Sequence, residues 1–168
     1  NEDELYVIVK RTINGTTRRY VEYLNLFDYG TDQTDAFYVD SGLTYSGSAA
    51  TVITGLDHLE GQSVTILADG STHPNKTVSG GAITLERSST KVHVGLSYTS
   101  LLQTMRVEAK GEEATSQSKT KRINEVTLRL HESVGVEVGS SLSDMERIPF
   151  RSSAAAMSSA VPLFTGDK

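Results

Sequence analysis

The stretch Ile53–Glu86, ITGLDHLEGQSVTILADGSTHPNKTVSGGAITLE, constrains the fold more than any other part of the chain. It reads as turn, strand, turn, strand. Gly61 follows an acidic turn and leads into Ser63-Val64-Thr65-Ile66-Leu67, an alternating β-branched run. Asp69-Gly70 ends that run with a pair that readily takes positive φ, and Gly80-Gly81 repeats the device before Ala82-Ile83-Thr84-Leu85. A backbone reversed this often by tight turns builds antiparallel sheet. The residues of the stretch set shape and name no chemistry.

The segments on either side continue the pattern. Glu4–Thr12 and Thr16–Leu24 are β-rich runs around Ile13-Asn14-Gly15, and Asn-Gly is the strongest short signal for a type I′ hairpin. Both faces of the first run are substantially apolar, Leu5, Val7 and Val9 on one and Tyr6 and Ile8 on the other. One of them is therefore expected to be covered by another part of a longer protein or by another subunit. Asn25–Thr34 is a polar, aromatic linker. Ala36–Val39 and Leu43–Tyr45 read as short strands about an Asp40-Ser41-Gly42 turn, Ser46–Ala50 as a small-residue tip, and Arg87–Thr90 as a polar turn before the strand Lys91–Val94. Tyr98–Leu102 and Leu102–Glu108 extend the series. About six short strands, with turns roughly every 8 to 12 residues, are the pattern of a small β-barrel or sandwich.

Gly111–Lys121, GEEATSQSKTK, loses its large apolar side chains and marks a boundary. Beyond it Arg122–Glu132 alternates as a strand, and Val134–Val138 turns about Gly135 into one more. Ala154–Met157 could form one loose helical turn. Pro162–Lys168 looks unfinished, as though it continued into a strand. The expected class is all-β: a domain of short antiparallel strands over residues 36–108, inserted in a second β-rich segment made of the hairpin 1–35 and the return segment 109–168. The chain opens at Asn1, without methionine, almost directly into a strand, and reads as a piece of something longer.

Composition removes several chemistries. With no cysteine in 168 residues, there is no disulfide, zinc–thiolate site, iron–sulfur cluster or cysteine nucleophile. The net charge of −5 lacks the general basic footprint of a dedicated nucleic-acid binder. No apolar run approaches the roughly 20 residues that span a bilayer. The serines form no G-x-S-x-G elbow, and the glycines form neither a P-loop nor a dinucleotide fingerprint. Asn14-Gly15-Thr16 and Asn75-Lys76-Thr77 fit the glycosylation sequon, which has meaning only in a secretory setting.

His58 and His73 fall in turns near Asp57, Glu60 and Asp69, but without a recognised ligand spacing, so turn capping is the better reading of these aspartates. Asp28, Asp32 and Asp35 lack the spacing, terminal glutamate and helices of an EF-hand. Basic residues concentrate in the flanks. Arg18 and Arg19 on the hairpin, with Lys119, Lys121, Arg122 and Arg129 in the return segment, are the candidate phosphate-facing positions if the flanks fold together, and solvated strand edges if they do not. No catalytic, cofactor-binding or metal-binding residue is assigned.

The order AFYVDSGLTYSG, TGLDHLEGQSVTILADG, KTVSGGAITL, VHVGLSYTS and KTKRINEVTLRLHESVG resembles the C-terminal region of phage and prophage tail and DNA-stabilisation proteins, including the nozzle-type subunits of short-tailed phages. The likeness runs from about Tyr20 to Arg151. Its middle part also looks like a small β domain compared with the first catalytic cysteine half-domain of ubiquitin-activating enzymes, whose cysteine chemistry this cysteine-free chain lacks. The resemblance implies a non-enzymatic virion subunit without cofactors, located in the tail. It would form a homo-oligomeric ring, meet other tail or portal proteins, and touch DNA without reading sequence. A tail-fibre or adhesin module binding a glycan through Tyr45, Tyr98 or His93 is the alternative, and a metal-dependent hydrolase using His58 and His73 a more remote one.

Overall fold

The computed structural model describes residues 4–25, 29–105, 120, 122–157 and 159–168. Ten antiparallel strands and two short 3₁₀ turns make up their regular structure, so the chain is all-β. Two compact units are present: Asn1–Tyr98 with Pro149–Leu163, and Thr99–Ile148 with Phe164–Lys168.

The first unit opens with β1 (Tyr6–Ile13) and β2 (Thr16–Tyr23), paired in register from Tyr6↔Tyr23 to Ile13↔Thr16. Asn14 and Gly15 both take positive φ, 47° and 74°, the type I′ geometry whose twist matches the strands it joins. The larger element is a four-stranded antiparallel sheet in the order β3-β6-β4-β5, from β3 (Asp40–Thr54), β4 (Ser63–Ala68), β5 (Ser71–Thr77) and β6 (Ala82–Leu96). It does not close into a barrel. Asp69-Gly70 and Gly80-Gly81 again carry consecutive positive φ. At Gly81 any side chain would be strained, because φ is 67° and a Cβ would lie 2.5 Å from Asp57 Oδ1.

The strands differ from expectation where the sequence is polar. Ser46–Ala50 and Arg87–Thr90, expected as a loop tip and a turn, are interior parts of the two 15-residue strands β3 and β6. They pair with each other, Ser46↔Lys91 and Ala50↔Ser89, across register shifts. The ladder is interrupted there, and the Thr90 and Lys91 N–H groups are taken by the Asp69 carboxylate instead; such bulges increase the local bend and twist. Ser41, expected in a turn, sits in β3 at φ 49° beside another shift, between Asp40 and Leu43. Ala36–Val39 and Tyr98–Met105 form no strand.

One face of this sheet holds the core. Ile53, Val64, Ile66, Ala68, Ile83, Leu85, Val92 and Val94 point into it, Leu56 and Leu59 cap it from the 3₁₀ turn Asp57–Leu59, and Val78 seals the loop after β5. Ile13 joins the same cluster, with Tyr20 packed against it, so the hairpin and the four-stranded sheet share one core. That grouping sets the hairpin in the same compact unit as the sheet.

In the second unit β7 (Arg129–Ser133) pairs with β10 (Phe164–Asp167), and β8 (Glu137–Ser141) with β9 (Asp144–Arg147). The strand expected toward the tail is present at Phe164–Asp167 and is extended by reciprocal backbone hydrogen bonds between Leu128 and Lys168. Ala154–Met157 holds isolated turns rather than a helix. Among the described residues after Gly95, none is buried.

Candidate functional site

All three histidines of the first unit serve as structural hydrogen-bond hubs. His73, on β5, is buried; its Nε2 accepts from the Glu86 backbone N–H at 2.9 Å, which leaves Nδ1 to donate to the Pro74 carbonyl at 2.8 Å. His93, proposed from sequence as an exposed glycan contact, is only 4% exposed. Its Nε2 donates to the Thr34 carbonyl and its Nδ1 accepts from Thr44 Oγ1, both at 2.8 Å, while Phe37 packs edge-on against the ring. Burial pushes its pKa down, against the opposing effect of the Thr34 carbonyl. The cause is simple: strict alternation along a strand with one buried face would turn His93 outward, but from Val92 to Gly95 β6 is buried on both faces. His58 donates from Nε2 to the Ser41 carbonyl at 2.9 Å. No group of three or more His, Asp or Glu side chains placed to hold a metal ion occurs among the described residues.

The aspartates act on backbone. Asp32 accepts from the Thr34 N–H and hydroxyl and caps the 3₁₀ turn Gln33–Asp35, and the Thr34 N–H is the main cause of its lowered pKa. Asp35 pairs with Lys91. Asp28 lies outside the described residues. Asp69 accepts from the backbone N–H groups of Thr90 and Lys91 and from the Thr90 hydroxyl; the Lys91 N–H is the largest influence holding its carboxyl below the usual range. Glu60 reaches across 20 residues to the N–H groups of Gly80 and Gly81, 3.0 and 2.8 Å away.

An ion-pair cluster docks the hairpin. Arg11 donates Nε and Nη2 to Glu22 at 3.2 and 3.0 Å, lies 4.0 Å from Asp40, and shares Glu22 with the Ser41 hydroxyl at 2.5 Å. Arg11 is the main cause of the lowered Glu22 pKa, with Ser41 adding to it. This cluster was not legible in sequence, because Ser41 and Asp40 meet Glu22 only through tertiary packing.

Of the candidate basic positions, Arg18 and Arg19 are exposed on β2, opposite Arg11 and Lys10 respectively. Arg129 forms a two-point ion pair with Asp167, its partner in the ladder, at 2.8 and 2.9 Å. Arg122 is exposed in the second unit, and Lys119 and Lys121 lie outside the described residues. Arg18 and Arg19 therefore belong to a different compact unit from Arg122 and Arg129.

Two exposed surfaces stand out among the described residues of the first unit. Tyr29 stacks edge-on with Tyr38 at 5.3 Å and donates to the Phe37 carbonyl; burial, then the neighbouring hydroxyls of Tyr38, Tyr98 and Tyr23, raise its pKa. Tyr38 and Tyr98 are exposed at its margin. Tyr45, the other tyrosine suggested for glycan contact, turns its hydroxyl back to the Ser48 carbonyl at 2.7 Å. The second surface is the outer face of the hairpin, where Tyr6, Ile8, Val21 and Tyr23 are all at least 60% exposed. No protein-family profile matches the sequence, and no curated protein matches it. Among the described residues no helix is long and apolar enough to cross a membrane.

Proposed function

We propose that the chain is a non-enzymatic structural subunit of a phage or prophage tail, taking part in tail assembly and in the retention or passage of DNA. The observation that carries this reading is the second unit. It consists of two-stranded sheets with no buried side chain among its described residues, and Leu102, Met105, Ile123 and Leu142 are 66–91% exposed. A two-stranded ribbon alone is marginal in water, so such a unit suits a subunit completed by its neighbours in an assembly. The sequence likeness to tail proteins supplies the kind of assembly, and exposed Arg18 and Arg19 supply charge for phosphate contact that ignores base sequence. Mass spectrometry of purified particles from the encoding phage or induced prophage, with electron microscopy of those particles, tests the reading. Density on the tail axis is expected, and absence of the protein from intact particles sinks it.

The tyrosine cluster favours a second reading, a glycan-binding tail module. Tyr38 and Tyr98 offer exposed rings backed by Tyr29, the amphipathic surface that stacks on a sugar while its hydroxyls stay wet. Saturable binding on a glycan array, lost in Tyr98→Ala with an unchanged circular dichroism spectrum, selects this reading.

A further inference from the structure

The outer face of the β1–β2 hairpin is an exposed, largely apolar surface of the first unit. Its cross-strand rungs are Tyr6↔Tyr23, Ile8↔Val21, Lys10↔Arg19 and Thr12↔Thr17. The first two rungs are wholly apolar or aromatic, with Tyr6 and Tyr23 each 60% exposed, Ile8 74% and Val21 73%. On the opposite face of the same hairpin Leu5 and Val7 are also open to water, but Ile13, Tyr20 and the Arg11–Glu22 pair hold the hairpin to its own sheet, so the Tyr6–Tyr23 face is not the one used for that attachment. A contiguous apolar patch of this kind marks an interaction surface.

Charge decides which partner fits. Lys10 and Arg19 stand directly opposite each other, an unfavourable like-charge rung, while Glu4 continues the same face past Tyr6 and is held there by the Tyr6 hydroxyl at 2.6 Å. The face is therefore acidic at one end, apolar in the middle and basic at the other. Consider a two-fold axis lying across the strands, midway between the Tyr6 and Ile8 rungs. Rotation about it reverses strand direction, so that Tyr6 of one copy meets the partner's Ile8, Tyr23 meets the partner's Val21, and Glu4 meets the partner's Lys10. Both copies then gain the same contacts, as an isologous interface requires. Sheet-on-sheet stacking of this type needs no free strand edge.

The size fits as well. Two exposed tyrosines with an isoleucine and a valine cover on the order of 500 Å² per copy, or about 1,000 Å² in total, the lower limit for a specific interface. We infer that the hairpin face is a self-association surface giving a weak, concentration-dependent two-fold dimer, with Tyr6, Ile8, Val21 and Tyr23 as its apolar centre and Glu4–Lys10 pairs at its ends. The inference stands apart from the tail reading, since a dimer forms or fails whether or not the chain belongs to a virion.

Sedimentation velocity of the chain over a wide concentration range tests it. The expected result is a reversible shift from monomer to dimer, abolished in Ile8→Glu, a substitution at an exposed site that leaves the circular dichroism spectrum unchanged. Glu4→Lys and Lys10→Glu each weaken the dimer roughly tenfold, because two symmetry-related pairs of modest individual strength are reversed at once. The double variant Glu4→Lys/Lys10→Glu restores dimerisation. A chain that stays monomeric throughout, including one that binds anionic vesicles or DNA through Lys10 and Arg19 instead, overturns the inference. So does a dimer that Ile8→Glu leaves intact, or one in which the double variant is no better than the singles.

Discussion

The two compact units use the same material, short antiparallel strands, with opposite outcomes. In the first, strands β3 to β6 form one sheet that covers a dozen-residue core in which Leu56, Leu59, Val64, Ala68, Val92 and Val94 have no exposed surface at all. In the second, β7 with β10 and β8 with β9 remain separate ribbons, and Ile123, Val126, Val134 and Leu142 stay in contact with water. Strand propensity is similar in both. What differs is whether a third and fourth strand arrive to give the apolar residues a shared face, and burial of that face is the main favourable term in folding.

A matched pair of substitutions puts the contrast to its hardest test. Ile66→Ala removes a side chain that is 1% exposed and should cost about 2–5 kcal/mol in denaturant unfolding. Ile123→Ala, at a position 66% exposed, should stay within about 0.5 kcal/mol. Comparable losses from the two would remove the distinction between the units. Next in size is Gly81→Ala, which combines a positive φ with a close approach to Asp57 and should cost about 1–3 kcal/mol in the same measurement. An unchanged midpoint would show that this turn relaxes freely.

The third prediction concerns pH and falls on the first unit. His93 is held below its usual 6.5 by burial, so as pH falls below that value the unfolded chain takes up a proton that the folded chain resists. Its contribution is complete above about pH 6.5 and declines as pH falls toward the folded pKa. Glu22 and Asp69 are held below 4.5 and 3.8 by Arg11 and by the Lys91 N–H, so their stabilisation is present above those values and lost as pH falls through the folded ones. Thermal melts should therefore show a first decline below about pH 6.5, absent in His93→Gln, and a second in the acid range. The smallest effect belongs to the second unit. Arg129→Gln removes an exposed ion pair, and faster amide exchange along β7 and β10 with no change in the melting of the four-stranded sheet is expected. A lowered melting temperature would mean that the two units unfold together.

Much of the first unit was legible in the chain. The Asn14-Gly15, Asp69-Gly70 and Gly80-Gly81 reversals, the alternating strand at Ser63–Leu67 and the hairpin about Asn14-Gly15 all follow from local signals, and all are present. The polar halves of β3 and β6 were not legible, because a run such as Ser46-Gly47-Ser48 has loop composition and becomes strand only when Ser88-Ser89-Thr90 or its neighbours lie across from it. The candidate surfaces divided in the same way. Exposure of Arg18 and Arg19 followed from their charge, and two apolar faces on β1 from alternation, whereas the Arg11–Glu22–Ser41 docking cluster joins residues up to 30 positions apart that no periodicity connects.

Turn geometry is a local property: an Asn-Gly or Gly-Gly pair reaches positive φ at low steric cost whatever surrounds it. For that reason the amino-acid order was sufficient to specify an antiparallel all-β chain and the places where it reverses. Burial is a property of neighbours distant in sequence. Packing alone turned His73 and His93 inward as hydrogen-bonded core residues, gave the first unit a core with no counterpart among the described residues of the second, and left the Tyr6–Tyr23 face of the hairpin open to water. The same alternation of apolar residues is compatible with either outcome until the partner strand is in place.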